Sequence, residues 1–228
     1  MDDGMRDLPI AGTGLRYLDS ANWALAGSGP GGAQLTGVSV PGDVITALQA
    51  AGVVGDPWFE TNFLGRNGSN VGQPSLSPPV WLRPDWRYAR NFTLPSRMMR
   101  TAAGAAAGGR ARLMLVLDSV KMGARVSLNG RVLGETSDQF LRYEFDISEA
   151  VAAGQNTLEL LFDPAIATAG RFMPCTGGWD GAPWSHTNDS VGAPTFSKGI
   201  VGSVYLLPVH AWVPHGQTLS LQWTPLSL

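Results

Sequence analysis

Much of the chain alternates large apolar residues with smaller or polar ones, the pattern of strands that bury one face. Trp86-Arg87-Tyr88-Ala89-Arg90-Asn91-Phe92-Thr93-Leu94 reads this way, and so does Thr157-Leu158-Glu159-Leu160-Leu161-Phe162. Leu113, Leu115 and Leu117 share one face of a strand between them. Those three leucines, with Leu158, Leu160 and Phe162, are the predicted centre of the core. Trp23-Ala24-Leu25, Leu35 to Val40, Tyr143 to Ile147 and Val204 to Leu207 predict further short strands.

The punctuation between these runs predicts how they join. Arg125 to Leu128 and Arg131 to Leu133 flank Asn129-Gly130, a pair suited to the two positive-φ positions of a type I′ turn, so a hairpin is expected there. Val40-Pro41-Gly42-Asp43 leads into a brief helix, with Asp43 as N-cap, Val44, Ile45 and Leu48 as its apolar face and Gly52 as its stop. From Asp56 to Pro84 the chain reads as a loop whose aromatic residues pack onto the domain. Ser96 to Gly109, rich in Ala, Gly and Arg, shows no periodicity and reads as a disordered connector over residues 96–109. Eight or so strands, one short helix and no βαβ rhythm predict an all-β fold, an antiparallel jelly-roll sandwich.

Composition sharpens this picture in three places. Charged residues are only 15% of the 228, while 29 Gly and 16 Pro fall largely between the apolar runs, as a turn-rich β fold requires. Sixteen basic and eighteen acidic residues give a net charge of −2 with no basic cluster, which argues against nucleic acid as a partner. Cys175 is the only cysteine, so no disulfide can form within the chain. The start, Met1-Asp2-Asp3-Gly4, lacks an apolar signal region, and no run approaches the roughly 18 apolar residues of a membrane helix. An intracellular protein or an incomplete N-terminus is expected from that. Three N-glycosylation sequons, at Asn67, Asn91 and Asn188, point instead to a secretory route.

An ordered set of segments carries a family resemblance. They are Val40-Pro41-Gly42-Asp43-Val44, Asp56-Pro57-Trp58-Phe59, Trp86-Arg87-Tyr88 with Phe92, and Leu128-Asn129-Gly130 with Leu133-Gly134. Phe140 to Asp146, Gly154-Gln155-Asn156-Thr157-Leu158, Gly177-Gly178-Trp179-Asp180 and Ser197-Lys198-Gly199-Ile200 with Val204-Tyr205-Leu206 follow. Together they resemble the N-terminal jelly-roll, galactose-binding-like domain of glycoside hydrolase family two β-mannosidases. The resemblance spans residues 15–208, leaving 1–14 as a flexible N-terminus and 209–228 as a divergent tail. It implies an enzyme in which this domain precedes an immunoglobulin-like sandwich and a catalytic (β/α)₈ barrel. It also implies that Trp179 and Asp180 contact a mannose bound at the barrel, with a mannose-containing glycan and the barrel as partners. In two places the pattern departs: Gly181 and Val201 stand where the family has tryptophan. Lost from a core, such side chains would cost roughly 3–5 kcal/mol each.

Residue chemistry alone adds limits. A retaining glycosidase needs two carboxylates about 5–5.5 Å apart, but none of Glu60, Glu135, Glu144, Glu149 and Glu159 follows an Asn, as the family's acid/base does. No catalytic residue is assigned. Trp179 and Asp180, with Trp184 and His186 nearby, supply an aromatic face and a carboxylate suited to a sugar ring; the plain structural alternative is a Trp plug and a turn cap. Arg142, Tyr143 and Asp146 fit cross-strand pairing and a turn cap better than a site. His186, His210 and His215 lack metal-ligand spacing, Cys175 has no paired base, and no phosphate loop or nucleophile elbow is present, so no metal or cofactor is expected. The expected function is that of a non-catalytic, carbohydrate-associated part of a β-mannosidase-like hydrolase, inactive by itself. The alternatives are a stand-alone carbohydrate-binding module and a degenerate interaction protein.

Overall fold

The computed structural model describes residues 15–28, 33–53, 85–106, 111–162 and 198–210. Their strands are β1 (Arg16–Tyr17), β2 (Ser20–Gly27), β3 (Gln34–Val40), β4 (Gly42–Asp43), β5 (Trp86–Thr93), β6 (Ala111–Leu117) and β7 (Val120–Lys121). They continue with β8 (Ala124–Leu128), β9 (Arg131–Thr136), β10 (Tyr143–Asp146), β11 (Gln155–Phe162), β12 (Gly199–Ile200) and β13 (Val204–His210). One sheet has the order β3-β2-β5-β11-β8-β9 and a second the order β1-β13-β6-β10, with every pairing antiparallel. The result is an antiparallel β-sandwich of the galactose-binding-like kind.

Its core follows from the alternation in sequence. Leu113, Leu115 and Leu117 from β6 and Leu158, Leu160 and Phe162 from β11 are all buried, as expected, and join Trp86, Tyr88 and Phe92 of β5 in one apolar cluster. Tyr88 meets Phe162 edge-on, ring centroids 5.9 Å apart, the geometry that the ring quadrupoles favour. The opposite face of β5 presents Arg87, Asn91 and Thr93 to solvent. The β8–β9 hairpin turns at Asn129 (φ 52°) and Gly130 (φ 80°), with Leu128 paired to Arg131, as a two-residue turn with both positions at positive φ requires.

Helix α1 (Val44–Ala50) also has the predicted form. Asp43 accepts from the Thr46 backbone N–H at 2.7 Å, Val44, Ile45 and Leu48 are buried, and Gly52 follows at φ 69°. A second helix, α2 (Ser96–Ala106), corrects the expectation of a disordered connector. Pro95 starts it, its carbonyl accepting from the N–H groups of Met98 and Met99. Met98 and Ala102, one turn apart, are buried against β6. Met, Arg and Ala are good helix formers, and alanine is too small and weakly apolar to register as periodicity. Strand β13 runs to His210, three residues past the expected strand end at Leu207. The expected loop from Asp56 to Pro84 and the N-terminal 1–14 lie outside the described residues.

Candidate functional site

A third, small sheet sets the geometry at the point where the chain returns from residues 163–197. Its order is β4-β12-β7, and β12 lies between the other two: Gly199 pairs with Asp43 on one side and Lys121 on the other, and Ile200 with Gly42 and Val120. Two stretches that carry the family resemblance, Val40 to Val44 and Lys198 to Ile200, are thus hydrogen-bonded neighbours although far apart in sequence.

The fit of β12 explains its glycine. A Cβ on Gly199 would lie 2.5 Å from both the Asp43 Cα and the Gly42 carbonyl oxygen, closer than real Cβ contacts come. Gly202 is confined in the same way, its Cβ position 2.5 Å from the Ser119 nitrogen. The backbone N–H groups of Val201 and Gly202 both donate to the Ser119 carbonyl, at 3.1 and 3.0 Å, and that of Val44 donates to Lys198 at 2.8 Å. Lys198 and Ile200 are buried. Val201, which stands where the family has tryptophan, is half-buried. Gly181, the other departure, lies outside the described residues.

In the core the phenol of Tyr88 is fully buried, and its hydroxyl has no hydrogen-bond partner among the described residues. Burial, and secondarily the negative charge of Asp43, push its pKa far above the ordinary tyrosine value, so the group stays neutral at any physiological pH. Helix α1 and strand β3 border an open groove of about 260 Å³, with Thr36, Ser39, Asp43 and Thr46 in its lining. Sequence reasoning named Asp43 only as a helix cap. Nothing in the linear pattern places it against Gly199, because that proximity depends on the pairing of β4 with β12.

Trp179 and Asp180, the predicted sugar contacts, lie outside the described residues, as do Cys175, Trp184, His186 and His215. Their segment leaves from Phe162, the buried end of β11, and re-enters at Lys198, just ahead of β12. Arg142, Tyr143 and Asp146 have structural partners. Arg142 donates to Asp118 at 2.8 Å, a hydrogen bond that raises its pKa. The Tyr143 hydroxyl accepts from the backbone N–H groups of Ser137 and Asp138. Asp146 accepts from Ser148 at 2.9 Å and pairs with Arg112 at 3.1 Å, capping the turn as expected.

The described glutamates do not converge on a site. Glu135, Glu149 and Glu159 form surface ion pairs with Arg125, Arg131 and Arg87, interactions worth about 0–1 kcal/mol each. Among the described residues no group of three or more His, Cys, Asp or Glu is placed to hold a metal ion, and no helix is long and apolar enough to cross a membrane.

Comparison with known proteins gives these features a family. Residues 23–190 match the family model described as glycosyl hydrolase 2 galactose-binding domain-like. The chain is 30% identical over 151 residues to the β-mannosidase of Bos taurus, covering 66% of this chain and 14% of that protein. It is 29% identical over 161 residues to β-mannosidase B of Emericella nidulans, covering 69% and 16%. The fold is similar to that of a β-D-mannosidase from Dictyoglomus thermophilum, with a TM-score of 0.56 at 20% identity over 84% of this chain and 22% of that one. The chain therefore spans only a small part of the length of these relatives, and it belongs to the glycosyl hydrolase 2 galactose-binding domain-like family, as a domain related to that of β-mannosidases.

Proposed function

We propose that this chain is the non-catalytic, carbohydrate-associated domain of a β-mannosidase-like glycoside hydrolase, and that Trp179 and Asp180 are its contacts to a terminal mannoside. The observation that carries this reading is the clamping of β12 between β4 and β7, with Gly199 against Asp43. It fixes where the chain re-enters the described sandwich after the segment that bears both residues. The family match over residues 23–190, a span that includes both, and the similarity of the chain to β-mannosidases support the same assignment.

The chemistry needed is modest. An indole face packs against the C–H side of a pyranose and excludes water there, while a carboxylate accepts hydrogen bonds from adjacent hydroxyls and fixes the sugar's orientation. Bond cleavage needs in addition a nucleophile and an acid/base about 5–5.5 Å apart. In this reading that pair belongs to a barrel elsewhere in the full protein, and hydrolysis of terminal β-mannosides is an activity of the whole.

The purified chain is thus expected to release no p-nitrophenol from p-nitrophenyl β-mannoside above the buffer blank. Release that follows the chain through successive purification steps would overturn the non-catalytic assignment.

A further inference from the structure

One sequon falls on described structure and serves no purpose in the reading above. Asn91-Phe92-Thr93 lies on β5 in the middle of the six-stranded sheet, with Phe92 in the core and both Asn91 and Thr93 exposed on the outer face. The Thr157 hydroxyl of neighbouring β11 donates to Asn91 Oδ1 at 2.7 Å, so the amide oxygen is held on the β11 side. The Nδ2 group has no hydrogen-bond partner among the described residues.

The space beside this amide has a structural origin. Strand β2 pairs with β5 from Ala24 opposite Ala89 to Gly27 opposite Trp86, while its pairing with β3 shifts register between Ser20 and Trp23 and again between Trp23 and Leu25. Such irregularities bend a strand away from its neighbour. Around them, Ala21, Asn22, Thr36, Gly37, Ala89 and Asn91 border a shallow cavity of about 330 Å³ on the outer face. That volume lies at the small end of ligand pockets, about 300–1,000 Å³. The small side chains of Ala21, Gly37 and Ala89 leave the floor open, and the Asn22 amide and Thr36 hydroxyl can hydrogen-bond a sugar.

We propose that Asn91 is an N-glycan acceptor and that the first sugar of the glycan lies in this cavity. In the transfer, catalysed by an oligosaccharyltransferase, Nδ2 attacks the anomeric carbon of a lipid-diphosphate-linked oligosaccharide. A C–N bond forms, the bond from the anomeric carbon to the diphosphate oxygen breaks, Nδ2 loses one proton, and the lipid diphosphate departs. The Thr93 hydroxyl is the second element that the transferase reads. The attached sugar then covers the floor next to Ala89 without disturbing the core, because Asn91 and its glycan lie on the face opposite Tyr88 and Phe92.

The test is to secrete the 228-residue chain from a glycosylating eukaryotic host and map its tryptic peptides for glycan at Asn91. Occupancy is expected, and it should vanish in both Asn91→Gln and Thr93→Ala; the second variant alters only an exposed side chain and keeps the asparagine. On the folded protein, amidase cleavage between Asn91 and the first sugar should run at least about tenfold slower than on the denatured chain, the ratio equivalent to ~1.4 kcal/mol of seating free energy. Ala89→Arg, which fills the cavity, should restore fast cleavage. An unmodified Asn91 peptide in secreted, folded protein would overturn the acceptor assignment. Equal cleavage rates in folded and denatured protein would overturn the seating of the sugar.

Discussion

Gly199 of β12 and Asp43 of β4 are register partners, and the Cα of Asp43 occupies the space within 2.5 Å of where a Gly199 side chain would begin. The two strands are only two residues long, so this close approach, and not a long ladder, fixes how the chain returns to the sandwich after residues 163–197. Gly199→Ala must separate β12 from β4, and overpacking of this kind costs about 1–3 kcal/mol. Gly104→Ala is the contrasting change: Gly104 is exposed in α2 with nothing within 4 Å of its Cβ position, and alanine there should stabilise by about 0.5–1 kcal/mol. Urea unfolding midpoints of the two variants should move in opposite directions.

Asp43 also caps α1 through its 2.7 Å bond from Thr46. Removing the oxygen in Asp43→Ala should cost about 1 kcal/mol, while Asp43→Asn, which keeps an acceptor, should lose much less. The same unfolding series measures both, and equal losses would mean that the carboxylate charge matters more than the cap.

Tyr88 places a buried hydroxyl in the core that has no partner among the described residues and that feels the charge of Asp43. Leaving such a group unsatisfied costs about 1–3 kcal/mol, so Tyr88→Phe should raise stability by roughly 1 kcal/mol at neutral pH. The pH dependence has a definite sign. The folded pKa is raised, so the unfolded chain ionises first, near pH 10. Stability from Tyr88 is therefore fully present below about pH 10 and declines above it, by up to about 1.4 kcal/mol per pH unit. Tyr205 is shifted in the same direction, by burial first and by Asp118 second. Tyr88→Phe should thus remove part of the alkaline decline in a pH series of unfolding midpoints, not all of it.

Asn156 is fully buried and makes four hydrogen bonds. Its Nδ2 donates to the carbonyls of Ala152 and Gly154, and its Oδ1 accepts from the Ala152 N–H and from Asn129 Nδ2. It thereby ties the Asn129-Gly130 turn to the turn before β11. Asn156→Ala strands those partners and should cost about 2–3 kcal/mol. Amide exchange at Ala152 should accelerate by more than exchange in β6, which the network does not touch.

Elements governed by local chemistry were legible in the sequence. The alternation of β5, β6 and β11, the positive-φ pair at Asn129-Gly130 and the capped face of α1 each depend on residues within a few positions of one another. Helix α2 was not legible, because among its described side chains Met98 and Ala102 are the buried ones and alanine carries little hydrophobic signal. The two-residue strands β4, β7 and β12 were also hidden, since a pair of residues has no period. Their pairing follows from backbone approach at Gly199, which only the folded chain defines. Trp179 and Asp180 were named from the family resemblance and the chemistry of sugar binding, and they lie outside the described residues, so their role is decided by experiment.

That experiment is calorimetric titration of the purified chain with mannose and manno-oligosaccharides, alongside Trp179→Ala and Asp180→Ala. An aromatic-carboxylate pair without the opposite wall of a barrel should bind in the region of 1 mM, a binding free energy of about −4 kcal/mol, and each substitution should abolish the heat. Micromolar affinity that survives both substitutions would contradict the account, placing the sugar site elsewhere and making the chain a carbohydrate-binding module in its own right.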